Sequence, residues 1–350
     1  VDSETGKTIP YEGAGFEIYN ADGEKMTMMY SYPSPTAIDV FYTNSEGYLI
    51  TPEVLPYGEY SLVEVQAPYG YVLDKTPVSF SVSSENAEEE NSLTIVKVEK
   101  QNTAQKGKIS VHKTGDIFTS VATASSAYTN ENGEMIVNPT TYTPVFANGD
   151  LSGAVFQITA KEDIVTLDGT IRAYAGDVVS EITTDENGYA ETEPLYLGKY
   201  EVREIKAPYG YVLNNEPKDV ELTYAGQEFE VRDTVNTAFE NEYQSVRISL
   251  SKVMESDEQF GIYGNDYYTS VRFGLFAAED ITAADGSVIP ADGLISEVSL
   301  DENMTAKFDV QIPFGRYYVQ EIATDEHYVL NGEKYLVNFE YMGQDIRTVD

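Results

Sequence analysis

The chain has 350 residues and a formal net charge of −37, and it contains no cysteine. This acidity disfavours phosphate backbones and anionic lipid headgroups as partners. The lack of cysteine excludes disulfides, thiolate metal sites and cysteine nucleophiles. With 41% hydrophobic and 12% aromatic residues the chain can bury cores, which excludes a disordered acidic tail. No apolar run approaches the roughly 18 residues of a membrane span, and the length indicates two or three domains.

Three segments of the chain resemble one another at constant spacing. In each, a phenylalanine precedes a tyrosine by 44 residues, and a second tyrosine follows 11 residues later. The three sets are Phe16, Tyr60 and Tyr71; Phe156, Tyr200 and Tyr211; and Phe273, Tyr317 and Tyr328. Constant spacing in three copies indicates three repeats of one domain.

Between these landmarks the chain consists of short runs of Val, Ile, Tyr and Thr separated by turn signals such as Glu186-Asn187-Gly188. This pattern is typical of β-strands joined by tight turns, and it predicts an all-β sandwich in each repeat. The segment from Asn102 to Lys113 aligns with the segment from Asn241 to Lys252, which places domain boundaries near residues 105 and 244. We therefore predict domains at 1–105, 106–244 and 245–350, with an insertion near 117–150 in the second.

Strand alternation places polar residues on the apolar faces of several strands, because residues i, i+2 and i+4 share one face. In the second domain the inward residues are Lys113 with Ile109 and Val111, Glu204 with Tyr200 and Val202, and Asn241 with Val235 and Phe239. The corresponding inward positions in the other two domains are occupied by Glu64, Asn102, Lys252 and Glu321.

A lysine, a glutamate and an asparagine buried together form a candidate reaction centre. Burial lowers the pKa of an amine and raises that of a carboxyl, so a neutral amine becomes accessible. The Lys113 amine can then attack the Asn241 side-chain amide while Glu204 moves protons and ammonia leaves. The product is a Lys–Asn isopeptide bond. A buried, non-covalent polar network of the same residues is the alternative that the sequence leaves open.

The arrangement resembles a known family, the collagen-adhesin B-type (CnaB) or SpaA-like pilin repeat of Gram-positive surface proteins. The resemblance rests on the inward lysine, the Gly-x-Tyr-x-(Val/Leu)-x-Glu strand followed by Ala-Pro-Tyr-Gly-Tyr, and the closing asparagine. It implies three tandem Ig-like or prealbumin-like Greek-key β-sandwich domains. It also implies Lys113 as nucleophile, Asn241 as the amide that loses ammonia, and Glu204 as catalytic acid. Domain three departs from the pattern at Thr324-Asp-Glu-His-Tyr328 but keeps Glu321.

The first and third domains hold only part of the trio. Domain one has Glu64 and Asn102, and alignment places its lysine one position before Val1. Domain three has Lys252 and Glu321, and its asparagine is expected near position 358. We therefore expect a truncated first strand in domain one, a truncated last strand in domain three, and a chain that is a slice of a longer array.

The resemblance implies a structural stalk or pilus-like segment of a cell-wall-anchored surface adhesin on a Gram-positive bacterium. Its expected partners are neighbouring repeats of the same protein, and it is expected to be monomeric and not a turnover enzyme. The alternative is an adhesin module that binds a glycan or a matrix protein through a protruding loop in the 117–150 insertion. No cofactor or metal is expected. His112 and His327 are interpreted as surface residues, and acidic turns such as Asp185–Gly188 as solvated hairpins.

Overall fold

The structure is a computed structural model that describes residues 1–31, 33–85, 88–90, 93–260, 262 and 267–350. In this described part of the chain the helical elements are two short 3-10 helices, Glu258–Phe260 and Tyr267–Ser270. The all-β prediction is confirmed. Below, domains one, two and three denote the predicted ranges 1–105, 106–244 and 245–350.

The strands are short because turn residues interrupt each apolar run after a few positions. Domain one contains β1 (Gly15–Asn20), β2 (Met28–Tyr30), β3 (Thr36–Ile38), β4 (Phe41–Tyr42), β5 (Gly58–Gln66), β6 (Val78–Val82), β7 (Glu88–Glu90) and β8 (Leu93–Ile95). Domain two begins with β9 (Lys106–Ala124), β10 (Ala127–Thr129), β11 (Met135–Val137), β12 (Thr141–Asp150), β13 (Val155–Ala160), β14 (Ile164–Val165) and β15 (Ile171–Ala173). It continues with β16 (Val178–Thr183), β17 (Tyr189–Glu191), β18 (Leu195–Tyr196), β19 (Gly198–Lys206), β20 (Lys218–Leu222) and β21 (Val231–Asn241).

Domain three contains shorter strands at its start and end than domain two. Its strands are β22 (Ser245–Val246), β23 (Ile248–Ser251), β24 (Arg272–Ala277), β25 (Ile281–Thr282), β26 (Val288–Ile289), β27 (Leu294–Ser299), β28 (Thr305–Phe308), β29 (Gly315–Ala323), β30 (Tyr335–Phe339) and β31 (Thr348–Val349).

The same antiparallel four-stranded path occurs in every domain. Its order is β4-β1-β5-β6 in domain one, β16-β13-β19-β20 in domain two and β27-β24-β29-β30 in domain three. The register is also the same, since the landmark phenylalanine lies opposite the inward glutamate each time, directly after a register irregularity. The three pairs are Phe16 with Glu64, Phe156 with Glu204, and Phe273 with Glu321. Each path covers its own cluster of buried apolar side chains.

A second sheet in domain two brings the first and last strands together. Strand β9 lies parallel to β21, and Lys113 pairs with Phe239 while Gly115 pairs with Asn241. Domain one has the equivalent parallel bridge between Asp2 and Asn102. In domain three β22 and β31 begin a parallel pair of the same kind. The two ends of each domain therefore run side by side in the same direction.

The insertion of domain two forms an antiparallel ribbon rather than an irregular loop. Strand β9 continues to Ala124 and pairs along its length with β12, and β10 pairs with β11 near the far end. We call residues 117–150 the insertion ribbon. Three of its apolar side chains, Phe118, Val121 and Tyr142, pack against the core of domain three.

Backbone hydrogen bonds fix the ribbon on domain three. The amide of Ala284 donates to the Phe118 carbonyl at 3.1 Å, and the amide of Val121 donates to Ser287 Oγ at 2.8 Å. Thr141 of β12 also pairs with Leu294 of β27, so the ribbon continues the sheet of domain three. The prediction of a protruding loop is therefore wrong for this part of the insertion, because its apolar face is buried against the next domain.

Domain one contacts domain two through charged and polar side chains. Arg172 donates to Asp2 Oδ2 at 2.9 Å and to Glu4 Oε2 at 2.8 Å. Thr5 donates to Asp168 Oδ2 at 2.7 Å. Asp2 is fully buried, so its ion pair with Arg172 is shielded from solvent screening more than a surface pair would be. In the described part of the chain, no helix has the length and apolar character needed to span a membrane.

Candidate functional site

The candidate site of domain two is formed by three strands that each supply one polar side chain. Lys113 comes from β9, Glu204 from β19 and Asn241 from the end of β21. Their exposed fractions are 0%, 1% and 2%, and the structure brings all three together in the core. Burial at this level is rare for charged residues unless they are paired.

One carboxylate oxygen contacts both nitrogens of the predicted reaction. Glu204 Oε1 lies 3.1 Å from Lys113 Nζ and accepts a hydrogen bond of 3.0 Å from Asn241 Nδ2. Lys113 Nζ in turn donates to Asn241 Oδ1. The amide carbon of Asn241 carries both the oxygen contacted by the amine and the nitrogen that would leave. A single carboxyl group is thus placed to take a proton from the nucleophile and deliver one to the leaving group.

Burial changes the acidity of both partners in the direction that this chemistry requires. Desolvation raises the pKa of Glu204, although the Lys113 ammonium beside it acts in the opposite sense. Desolvation lowers the pKa of Lys113, opposed by the Glu204 carboxylate. Both shifts favour the neutral forms over the ion pair. A neutral amine has the free lone pair that attack on an amide carbon needs.

Two aromatic rings enclose the lysine. The Nζ atom of Lys113 lies 5.7 Å from the ring centres of both Phe156 and Phe239, and the two rings are 4.8 Å apart. The rings exclude water from the amine and so maintain the desolvation that lowers its pKa. In the sequence, Phe156 is a repeat landmark and Phe239 lies on the inward face beside Asn241, and neither is predicted to belong to the site.

A backbone donor anchors the second oxygen of the carboxyl group, and sequence reasoning missed it. The amide of Asn214 donates to Glu204 Oε2 at 2.9 Å. The residues ten positions after the other two glutamates do the same, with Asp74 donating to Glu64 at 3.0 Å and Asn331 to Glu321 at 2.9 Å. The available signal was an Asp or Asn at this constant spacing in every repeat. This donor leaves the other oxygen of each carboxyl group free to act.

Domain one contains the glutamate and the asparagine in contact, without a lysine between them. Asn102 Nδ2 donates to Glu64 Oε1 at 2.8 Å and Oε2 at 2.7 Å, and both residues are buried. The pairing of Asp2 with Asn102 matches that of Gly115 with Asn241, so the position equivalent to Lys113 is the one before Val1. Desolvation raises the pKa of Glu64.

Lys100 does not take the missing place in domain one. Its Nζ pairs with Asp74 Oδ2 at 2.7 Å and donates to the Thr76 carbonyl at 2.8 Å. It lies two residues before Asn102, as Phe239 lies two residues before Asn241 in domain two. This lysine is therefore held by a partner other than Glu64.

Domain three contains the lysine and the glutamate, in a more open setting. Lys252 Nζ lies 3.0 Å from Glu321 Oε1, and 22% of the lysine side chain is exposed. The contact is within ion-pairing distance but lacks hydrogen-bond geometry, so among the described residues Glu321 Oε1 has no hydrogen-bond partner. In domains one and two the equivalent oxygen accepts from an asparagine amide. Domain three thus presents a carboxyl oxygen where the other domains bind an amide.

The remaining candidate residues take part in surface contacts. His112 Nε2 lies 2.8 Å from Asp150 Oδ1, and its ring stacks on Tyr189 at 4.2 Å. His327 pairs with Asp325 in an exposed turn. Within the described ranges, no cluster of three or more His, Asp or Glu residues is arranged to hold a metal ion.

Comparison with known proteins assigns the fold to a family and gives relatives at low identity. The family model described as a SpaA prealbumin-like fold domain matches residues 1–97 and 146–237, more than half of the chain. The trypsin-resistant surface T6 protein of Streptococcus pyogenes serotype M6 is 30% identical over 94 residues, which cover 27% of this chain and 16% of that protein.

One solved structure extends the likeness over the whole chain at the level of fold. The TIE protein of Bacillus anthracis matches 99% of this chain and 48% of its own, with 23% identity and a TM-score of 0.54. A single-residue variant of BcpA, the major pilin subunit of Bacillus cereus, matches 97% of this chain and 93% of its own at 15% identity, with a TM-score of 0.30. The chain spans about half of the first of these structures and a sixth of the streptococcal protein. With the family model matched twice along it, this chain belongs to the SpaA prealbumin-like fold domain family of Gram-positive surface proteins.

Proposed function

We propose that the chain is a load-bearing segment of a surface stalk or pilus-like array, closed by an isopeptide bond between Lys113 and Asn241. The observation that carries the proposal is the contact of one Glu204 oxygen with both the attacking and the leaving nitrogen, in a site shielded from water. The reaction is performed once, on the chain itself, so the domain is not a turnover enzyme and requires no cofactor.

The proposed reaction exchanges one carbon–nitrogen bond for another. The ammonium of Lys113 gives a proton to Glu204, and the neutral Nζ attacks the Cγ of Asn241. The new Nζ–Cγ bond forms, the Cγ–Nδ2 bond breaks, and the second proton lost by Nζ together with the Glu204 proton balances the release of ammonium. Glu204 ends as it began, and no oxidant, metal or external co-reactant is consumed.

The position of the bond accounts for a mechanical role. It joins the first strand of the domain to its last strand, which lie parallel, and these strands lead to the neighbouring domains. A force that enters through β9 and leaves through β21 then passes along the covalent link instead of separating the two strands. The 128-residue span between the bonded residues is excluded from extension. In the loop-entropy treatment such a closure stabilises the domain by on the order of 5 kcal/mol.

The relatives support a surface location, which we propose for this chain as well. The name of the streptococcal protein describes a surface protein that resists trypsin. A domain tied between its first and last strands would also resist proteases, because cleavage requires local unfolding that the bond opposes. We propose a cell-wall-anchored protein of a Gram-positive bacterium, with neighbouring repeats of the same protein as the partners of each domain.

Single-molecule pulling between the two chain ends tests the proposal. The wild-type chain is expected to show unfolding steps for domains one and three only, whereas Glu204→Gln is expected to add the extension of domain two. The Glu201→Gln variant, altered on the same strand but facing outward, is the control and should behave as wild type. Full extension of domain two in the wild type would reject the load-bearing bond.

A binding role remains the second candidate, and it is supported at the far end of the insertion ribbon. The side chains of Tyr128, Met135 and Val137 are all more than half exposed on β10 and β11. Exposed tyrosine and apolar side chains on a hairpin suit contact with a glycan or a matrix protein. Binding of the wild type to a glycan array or to immobilised matrix proteins, lost on the triple substitution of these residues by serine, would support it. Equal binding by wild type and variant, or none by either, would reject it.

A further inference from the structure

The two junctions between domains are held by the same set of hydrogen bonds. Gln105 lies at the first junction and Gln244 at the second, and their exposed fractions are 1% and 0%. Each follows the last strand of one domain and contacts a loop of the next. Complete burial of a glutamine side chain is favourable only where its donors and its acceptor are all bound.

In the first junction Gln105 uses every polar group of its side chain. Its Nε2 donates to the carbonyls of Gly226 and Phe229, both at 2.7 Å, and its Oε1 accepts from the Ala225 amide at 2.7 Å. Its own backbone amide donates to the Gly70 carbonyl in domain one at 2.8 Å. The residue therefore ties a turn of domain one to a loop of domain two.

A second glutamine, on that loop of domain two, accepts hydrogen bonds from backbone amides of domain one. Gln227 Oε1 accepts from the Ala67 amide at 2.9 Å, and its backbone carbonyl accepts from the Leu73 amide at 2.8 Å. Tyr224, also on the loop, donates its hydroxyl to the Tyr71 carbonyl at 3.3 Å. We call residues 224–229 the clasp loop of domain two and residues 67–71, Ala-Pro-Tyr-Gly-Tyr, the receiving turn of domain one.

The second junction repeats all seven hydrogen bonds in the same order. Gln244 Nε2 donates to the carbonyls of Gly343 and Ile346, and its Oε1 accepts from the Met342 amide. Gln344 and Tyr341 then bind the turn at 207–211 as Gln227 and Tyr224 bind the turn at 67–71. The remaining bonds are Gln244 N to Gly210 O, Ala207 N to Gln344 Oε1, Leu213 N to Gln344 O, and Tyr341 OH to Tyr211 O.

The local sequence of each loop explains its conformation. The equivalent clasp loop of domain three is residues 341–346. Both clasp loops have the pattern Tyr-x-Gly-Gln, and Gly226 and Gly343 have the same backbone φ of 100°, which residues with a Cβ rarely adopt. The pattern occurs at these two places in the chain, and Ala-Pro-Tyr-Gly-Tyr also occurs twice, at 67–71 and 207–211. Loop and turn therefore come in matched pairs, one pair for each junction.

We propose that the Ala-Pro-Tyr-Gly-Tyr turn is a docking surface whose partner is a Tyr-x-Gly-Gln loop of the following repeat, and that Gln105 and Gln244 fix the angle between consecutive domains. The partner is recognised by hydrogen bonds to its backbone, which demand one loop conformation and hence one orientation. This proposal is independent of the isopeptide bond, since none of the seven bonds involves Lys113, Glu204 or Asn241.

Near-isosteric substitutions distinguish the contribution of Gln105 to the first junction from that of Gln227. In Gln105→Glu a carboxylate oxygen replaces the Nε2 donor and meets the carbonyls of Gly226 and Phe229, which are acceptors like itself. In Gln227→Glu the acceptor used by the Ala67 amide is kept. The first variant is expected to release the junction and the second to retain it. Gln101→Ala, at an exposed position of the same segment, is the matched control.

Distance distributions from double electron–electron resonance measure the outcome, and the absence of native cysteine allows specific spin labelling. One labelled pair, Asp22→Cys with Glu186→Cys, spans the junction, and a second, Asp22→Cys with Ser79→Cys, reports on domain one alone. The expected result is a narrow interdomain distribution in the wild type, Gln227→Glu and Gln101→Ala, and a broad one in Gln105→Glu, with the distribution inside domain one narrow throughout. A narrow interdomain distribution in Gln105→Glu, equal broadening in Gln101→Ala, or broadening inside domain one would overturn the proposal.

Discussion

The Nζ atom of Lys113 and the Oε1 atom of Glu204 lie 3.1 Å apart, with both side chains fully shielded from solvent. A buried ion pair gains little net stability, because desolvation of the two charges offsets their attraction. The pair is better understood as a means of generating a neutral amine beside an amide. The surrounding strands and phenylalanine rings keep water away from the two side chains.

Replacing Glu204, which carries the proton, should prevent the isopeptide bond of domain two and make that domain less stable. In Glu204→Gln the amide cannot accept the lysine proton, so we expect the free energy of unfolding of domain two to fall by on the order of 5 kcal/mol, the loop-closure contribution. The buried Lys113 also loses its anionic partner, which acts in the same direction. Scanning calorimetry measures the change. Glu201→Gln is the control, and a Glu204→Gln transition at the wild-type temperature would contradict the prediction.

The two inward lysines should differ in chemical reactivity after denaturation. Lys113 is expected to be an amide and therefore inert, whereas Lys252, for which the described residues supply a carboxyl partner but no side-chain amide, should keep a free amine. Acylation of the denatured chain, followed by digestion and mass spectrometry, should modify Lys252 and not Lys113. Glu204→Gln should restore acylation of Lys113. Acylated Lys113 from the wild type would refute the assignment.

The insertion ribbon should stabilise domain three rather than the domain to which it belongs. Phe118 is partly buried against the core of domain three, so Phe118→Ala is expected to destabilise that domain by about 1–2 kcal/mol, less than a fully buried phenylalanine. The domain two transition should not move. Tyr128→Ala, at the exposed far end of the same ribbon, should change neither transition. A loss of stability in domain two alone would show that the ribbon does not stabilise domain three.

Domain one should lose stability as the pH rises through the titration of Glu64. Burial raises the pKa of this carboxyl in the folded state above the ordinary value of 4.5. Between the ordinary pKa and the raised pKa of the folded state, Glu64 binds more protons in the folded than in the unfolded chain, so its contribution to stability is greatest below about pH 4.5 and declines as pH increases. In thermal unfolding from pH 4.5 to 8, the stability of the wild type relative to Glu64→Gln should therefore decline as the pH rises. Glu59→Gln, exposed on the same strand, should retain the wild-type slope, and parallel profiles for wild type and Glu64→Gln would contradict the prediction.

Much of the fold was predictable because repeated spacing and strand alternation are local features. The interval from Phe156 to Tyr200, repeated in all three segments, identified the repeats. The parity of Lys113 and Glu204 within their strands placed both side chains in the core, where the structure has them. Alternation depends only on neighbours along the chain. The sequence therefore identified inward residues without knowledge of the strand order.

What the sequence did not reveal depends on contacts between distant segments. The packing of Phe118 on domain three required the position of a neighbouring domain, and composition alone made the insertion resemble a free loop. The hydrogen bonds of Gln105 and Gln227 join side chains to backbone groups more than a hundred residues away. The repeated Tyr-x-Gly-Gln and Ala-Pro-Tyr-Gly-Tyr motifs are visible in the sequence, but the sequence does not show that they contact each other. The Asn214 amide at Glu204 did have a signal, the constant ten-residue spacing, but its meaning appears only in three dimensions.

The intact mass of the purified wild-type chain shows directly whether Lys113 and Asn241 are joined. We predict a mass lower than that calculated from the sequence by one ammonia, and a peptide pair joined through Lys113 and Asn241 after digestion. Glu204→Gln should show the unmodified sequence mass for its composition. A wild-type mass with no loss, or a cross-link that persists in Glu204→Gln, would contradict the assignment of this site.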